Sequence, residues 1–167
     1  DLGVITEGVE KLRDGFNLPG MKVLQFAWGE PTNPFLPHNH PDNCVVYTGT
    51  HDNNTTLGWW QNEADEGNIT FMKDYLGQEV YDIVWTLARV GMRSSAHTFI
   101  MPMQDVLNLG GEGRMNTPGQ PAGNWTWRFT EDGFDHSGKD ALIHITYMFQ
   151  RHPSQQEKTY GDAAVKK

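Results

Sequence analysis

Residues Tyr47, Thr48, Gly49, Thr50, His51, Asp52, Asn53, Asn54, Thr55 and Thr56 form the segment best suited to chemistry. It sets an imidazole and a carboxylate side by side, directly after the β-branched pair Val45 and Val46 and a tight Thr-Gly-Thr bend. A strand that ends this way carries its next side chains into a pocket, and barrel enzymes keep their working residues where parallel strands run out into loops. Asp52 is therefore the first candidate for chemistry, with His51 beside it. A strand-end cap is the competing role for the same carboxylate, and the residues alone weigh the two equally. His38, His40 and Asp42 alternate in a way that mimics a metal site. They lie in a loop without a convincing fourth ligand or supporting shell, so we read no metal and no cofactor there. Cys44, the single cysteine, sits in a strand-like context and reads as a small buried apolar residue rather than a nucleophile.

The elements that must position these groups belong to an ordinary folded chain. With 13 basic and 21 acidic residues and a formal net charge of -8, a general field holding nucleic acid or an anionic membrane is disfavoured, and a neutral ligand fits better. No secretory apolar region and no run of about 18 apolar residues points to a membrane. Sequons begin at Asn53, Asn54, Asn68 and Asn124. Two of them flank the candidate carboxylate, where a glycan would block the site, so they read as chance.

The path alternates helices and strands. Thr6 can cap a short helix with Val9, Leu12 and Phe16 on one face, closed by Asn17 and the Pro19-Gly20 turn. Residues 21–27 read as a strand, 28–43 as a Pro- and Asn-rich loop, and 44–50 as a second strand. Helices are expected over 56–61, 70–75 and 80–93, the last with Val80, Ile83, Val84, Leu87 and Val90 at helical spacing. A third strand at 98–101 stops at Pro102; one or two helical turns over 104–109, a loop over 112–124 and an amphipathic helix over 139–152 complete the pattern. Residues 153–167 read as a polar tail. This order implies an α/β fold with a parallel sheet covered on its faces. A complete (β/α)8 TIM barrel takes about 250 residues, so residues 1–152 are expected to form the C-terminal part of such a barrel, about its last three strands. Outer strands without partners predict an isolated chain that is marginally stable or aggregates; reversible monomeric two-state unfolding would contradict this.

Six collinear blocks carry a family resemblance: Asp1-Leu-Gly-Val-Ile-Thr6; Leu18-Pro-Gly-Met-Lys-Val-Leu-Gln-Phe26; Pro37-His-Asn39; Val46 through Asn53; Pro102-Met-Gln-Asp105; and Arg114-Met-Asn116 with Pro118-Gly119 and Gly123-Asn-Trp125. From residue 1 to about 128 the chain resembles the C-terminal third of the 4-α-glucanotransferases, the amylomaltase or disproportionating family. The resemblance implies retaining transfer of α-1,4-glucan segments between maltooligosaccharides through a covalent glucosyl-enzyme intermediate. Asp52 matches the family's third carboxylate, which favours the oxocarbenium-like transition state, and His51 matches a neighbouring sugar-binding histidine. Phe26 matches an aromatic sugar contact and Asn116 a residue on the loop covering the acceptor side, and with Asn53 and Glu30 they are the expected substrate-binding residues. Glu30 and His40 are departures, standing where the family often has Asp and Tyr. The acid/base Glu would immediately precede residue 1 and the nucleophilic Asp would lie on an earlier strand. An isolated chain is thus expected to be inactive, its partners being the glucan and the N-terminal part of the same barrel, in the cytoplasm or in a plastid. Arg114 could contact substrate or satisfy loop carbonyls. Trp59, Trp60, Trp125 and Trp127 could line a glucan groove, though large aromatics in a compact domain are more often core. A non-catalytic glucan-binding or inactive fragment and an α-amylase-type hydrolase are the alternatives, with the Arg-Met-Asn and Gly-Asn-Trp blocks favouring the transferase.

Overall fold

The computed structural model describes residues 5–130 and 136–152. The Asp-Leu-Gly block at residues 1–3 and the expected tail at 153–167 lie outside the described residues. Three short strands, β1 (Gly20–Val23), β2 (Cys44–Tyr47) and β3 (Thr98–Ile100), form a parallel sheet in the order β1-β2-β3. Gly20 pairs with Cys44 and Val45 with Thr98, so β2 is central. Cys44 and Val46 are fully buried, and burial pushes the Cys44 thiol pKa up, in keeping with an inert core cysteine. The strand expected over 21–27 ends at Val23. Leu24–Phe26 instead make a 3-10 turn, because Gln25 turns inward to bond the Asn54 carbonyl (3.0 Å) and Asn33 captures the Phe26 carbonyl (2.8 Å).

Local capping sets the helix boundaries. Helix α2 (Thr56–Asn62) starts on the Thr55 hydroxyl, which accepts from the Gly58 amide. Helix α3 (Glu66–Leu76) begins earlier than the expected 70 because Asp65 and Asn68 form a capping box, and it ends at Gly77, whose φ of 67° suits glycine. Helix α4 (Ile83–Met92) begins later than expected because Asp82 caps it by accepting from the Trp85 amide. Leu24, Leu36, Val46, Met72, Val84 and Leu87 meet in one core between the sheet and these helices. The short α5 (Met103–Val106) follows β3, and α6 (His136–Met148) packs through Ile145 against Ala88 and Met92 of α4. Arg151 fixes this corner by donating to the carbonyls of Met92, Ser94 and Ala96.

Helix α1 (Glu7–Gly15) forms as expected, but its apolar stripe buries nothing among the described residues: Leu12 is 64% and Phe16 71% exposed. Where α2 crosses the 3-10 turn Gly111–Gly113, the backbones approach so closely that a Cβ on Gly58 would lie 2.8 Å from the Gly111 nitrogen and closer still to the Asn54 side chain. Backbone cannot yield as a flexible side chain can. Gly58→Ala is therefore expected to cost the intact protein about 1–3 kcal/mol, read as a lowered urea midpoint. Gly15→Ala, which points into open space, should leave the midpoint unchanged or raise it.

Candidate active site

All three parallel strands point their C-terminal ends to one side, and the groups gathered there come from the segments that follow β2 and β3. A hydrogen-bonded turn shapes the segment after β2. Asn53 Oδ1 accepts from the Thr50 amide (2.9 Å) and the Thr50 hydroxyl (2.8 Å), and the Asp52 amide donates to Thr50 Oγ1 (3.3 Å). Gly49 lies over Gln25, where a Cβ would meet the Gln25 amide nitrogen at 2.6 Å. A side chain there would have to displace the Gln25 amide from its bond to the Asn54 carbonyl.

Beneath the loop lies Asp105, 1% exposed. Its carboxylate accepts from the Thr48 hydroxyl (2.6 Å), the Thr56 amide (2.8 Å) and the Thr56 hydroxyl (2.7 Å). Thr48 and Thr56 bracket the His51-Asp52 turn, so one buried group on α5 holds both ends of the loop. Burial pushes the Asp105 carboxyl pKa up, and the bonds from Thr48 and Thr56 oppose that shift.

A second loop, after the Gly111–Gly113 turn, closes over the first. The Asn116 amide nitrogen Nδ2 donates to Asp52 Oδ1 at 2.6 Å, and its backbone amide donates to the His51 carbonyl at 3.1 Å. His51 Nε2 lies 3.4 Å from the same Asp52 oxygen, with the two side chains 56% and 46% exposed. Arg114 resolves toward structure: it donates to the carbonyls of Asn116 and Asp52 (each 2.9 Å) and pairs with Glu63 (3.2 Å). Glu63 also accepts from Asn54 Nδ2, which ties α2 to both loops. Trp125 sits over His51 with ring centroids 5.0 Å apart. The pocket between the loops is lined by His51, Asn53, Thr55, Pro102, Gln104 and Trp125, among others.

The structure thus brings Asp52, His51, Asn53 and Asn116 together. Asn53 spends its carbonyl oxygen on shaping the turn. Phe26 and Glu30 do not line this pocket: Phe26, 46% exposed, meets Phe35 edge-on at 5.8 Å, and Glu30 is exposed in the following loop. The tryptophans divide. Trp59 is core, Trp60 and Trp127 are half-buried, and Trp125 is exposed at the pocket, correcting the expectation that it packs inside. His38 stacks on Tyr75 and bonds the Tyr75 hydroxyl and the Pro31 carbonyl, while His40 is buried with Nε2 on the Phe35 carbonyl and its pKa lowered by that burial. His38 thus ties the loop to α3, and of the His40 ring nitrogens Nε2 bonds the loop while Nδ1 is buried without a hydrogen-bond partner. No group of three metal-type side chains occurs among the described residues.

The pocket is walled by polar side chains, the Arg114 guanidinium and Trp125, with Asp52 and Asn116 next to its lining rather than in it; polar groups and an indole at the C-terminal ends of parallel strands suit a hydroxylated neutral ligand. Comparison with known proteins decides the lineage, because the family model described as 4-alpha-glucanotransferase matches residues 1–133. The chain belongs to the 4-alpha-glucanotransferase family. Similar members include the 4-alpha-glucanotransferase of Thermus thermophilus, 55% identical over 137 residues, covering 77% of this chain and 27% of the relative. The chloroplastic/amyloplastic 4-alpha-glucanotransferase of Arabidopsis thaliana is 50% identical over 158 residues, covering 90% and 27%. The amylomaltase of Streptococcus agalactiae, solved in complex with acarbose, superposes with a TM-score of 0.82 at 33% identity, over 90% of this chain and 31% of that one. The chain therefore spans about 27% to 31% of the length of these family members. The amylomaltase likeness gives the three-stranded α/β unit its place in a TIM-barrel family. Among the described residues no helix is long and apolar enough to cross a membrane.

One site residue escaped the sequence reading. Asp105 fell inside a family block, but nothing in its spacing distinguished a buried anchor from a helix-start carboxylate. The signal was Pro102, which starts α5 and so fixes where Asp105 falls on it. Trp125 stood in a family block and among the tryptophans that could line a groove, and it is the one of the four that lines the pocket.

Proposed function

We propose that the protein carrying this chain transfers α-1,4-glucan segments between maltooligosaccharides with retention, and that this chain supplies the C-terminal strands of its (β/α)8 barrel together with Asp52. The observation that carries the reading is the contact of Asp52 with Asn116 and His51 beyond the end of β2, in a chain of this family. As the glycosidic bond breaks, positive charge grows on the sugar ring, and a carboxylate fixed beside it favours that state more than the ground state. Asp52 is pre-oriented for this by the Asn116 amide and by a turn whose ends are held on Asp105. His51 and Asn116 present nitrogens to sugar hydroxyls on either side of the carboxylate. Phe26 and Glu30 serve sugar units farther along the glucan. The nucleophile and the acid/base group belong to the part of the barrel that precedes this chain. The exposed stripe of α1 and the outer edges of β1 and β3 are surfaces that part would cover.

The test uses maltotriose. The intact protein is expected to produce a ladder of longer and shorter oligosaccharides while the number of reducing ends stays constant, because transfer conserves it. A steady rise in reducing ends without longer products would make the protein a hydrolase. The 167-residue chain alone is expected to yield neither.

A further inference from the structure

Trp125 combines features that ordinary packing does not explain. Its φ is 61°, a left-handed backbone that bulky residues adopt only where their surroundings compel it, and such residues gather at functional sites. Hydrogen bonds supply that constraint. The Trp125 amide donates to the Met115 carbonyl at 2.7 Å, the Trp125 carbonyl accepts from Arg128 at 2.7 Å, and Asn124 is pinned to Thr117 and Gln120. Yet the indole so placed is not buried: Trp125 remains 52% exposed. What it touches is the His51 imidazole, at 5.0 Å between centroids and 39° between planes. His51 needs the help, since its side chain is more than half exposed and its Nε2 stands 3.4 Å from Asp52, a long reach for a bond that must fix a ring.

We infer that Trp125 is a positioning residue for His51: the strained backbone holds the indole where it restricts the imidazole to the rotamer that faces Asp52 and the sugar. This rests on the proposed glucan-transfer reading for its effect on rate, though not for the packing itself. An exposed imidazole otherwise samples several rotamers, and loss of its orientation lowers the fraction of bound substrate that is correctly held.

Three variants of the intact protein test this. Trp125→Gly removes the indole and relaxes the backbone, so its thermal midpoint should hold or rise while kcat falls about tenfold or more. Trp125→Phe keeps a ring against His51 and should stay within about threefold of the parent. In a His51→Ala background, adding Trp125→Gly should change kcat by less than about twofold, because a residue acting through His51 has nothing left to act on. Losses that multiply in the double variant would overturn the inference. So would an unchanged His51 Cε1–H resonance in ¹³C-histidine-labelled Trp125→Gly protein, since removing an indole 5.0 Å from the imidazole must remove its ring-current shift. A parent protein without transfer activity would sink the functional reading, and the His51 resonance would still decide whether the ring contact exists.

Discussion

Asp52→Asn in the intact protein is expected to lower kcat for transfer from maltotriose by about 10²–10³-fold. The amide keeps the size of the carboxylate and can still accept from Asn116 Nδ2, which now bonds Asp52 Oδ1 at 2.6 Å. The turn built on Thr50 and Asn53 does not use the Asp52 side chain, so the loop should keep its shape. Only the charge is lost, and it matters most when the sugar ring turns positive. KM should therefore change much less than kcat. Initial rates over a range of maltotriose concentrations decide this; a kcat within about twofold of the parent would reduce Asp52 to a strand-end cap.

The largest expected effect on stability comes from Asp105. Asp105→Ala strands three buried donors, the Thr48 hydroxyl, the Thr56 amide and the Thr56 hydroxyl, and at about 1–3 kcal/mol each the loss should be about 3 kcal/mol or more. Asp105→Asn should behave differently. Its oxygen can accept from the Thr56 amide while its NH₂ donates to the two hydroxyls, which turn to accept. This distinction has a pH signature. Burial raises the folded-state pKa of Asp105 above its ordinary value of 3.8, so below that value the carboxyl is protonated in both states and its contribution to stability is fully present. As pH rises through the raised folded value, the folded state binds more protons than the unfolded one, and that contribution is lost. The parent protein should therefore lose stability relative to Asp105→Asn from about pH 3.8 upward until Asp105 is ionised. Urea midpoints of the two proteins across this range test it, and parallel midpoints at every pH would contradict it.

The three parallel strands and the His-Asp turn were legible because β-branched runs and Gly-Pro punctuation are local signals. Val45 and Val46 leading into Thr-Gly-Thr placed Asp52 and His51 at a strand end, where they lie. Helix starts were less legible: α3 begins at Glu66 because the Asp65-Asn68 box wins over an otherwise weak pattern, and α4 waits for Asp82. β1 stops short because Gln25 is claimed by Asn54, 29 residues on, and Phe26 by Asn33 in the following loop, contacts that no strand pattern encodes. The clasp of Arg114, Asn116 and Trp125 over the turn was legible only in part. Family blocks pointed to Asn116, but an even choice for Arg114 and a core expectation for Trp125 follow when long-range contacts have no local pattern. The apolar stripe of α1 shows the converse case: periodicity predicted the helix correctly, while the stripe buries nothing among the described residues.

A crystal of the intact protein soaked with acarbose, the ligand held by the similar Streptococcus agalactiae amylomaltase, tests the site most directly. The expected map shows a sugar ring with hydroxyls within hydrogen-bonding distance of Asp52 and His51, and Asn116 at its edge. A sugar bound elsewhere, with the Asp52–Asn116 bond unchanged and the pocket beside Trp125 empty, would contradict the assignment of this site.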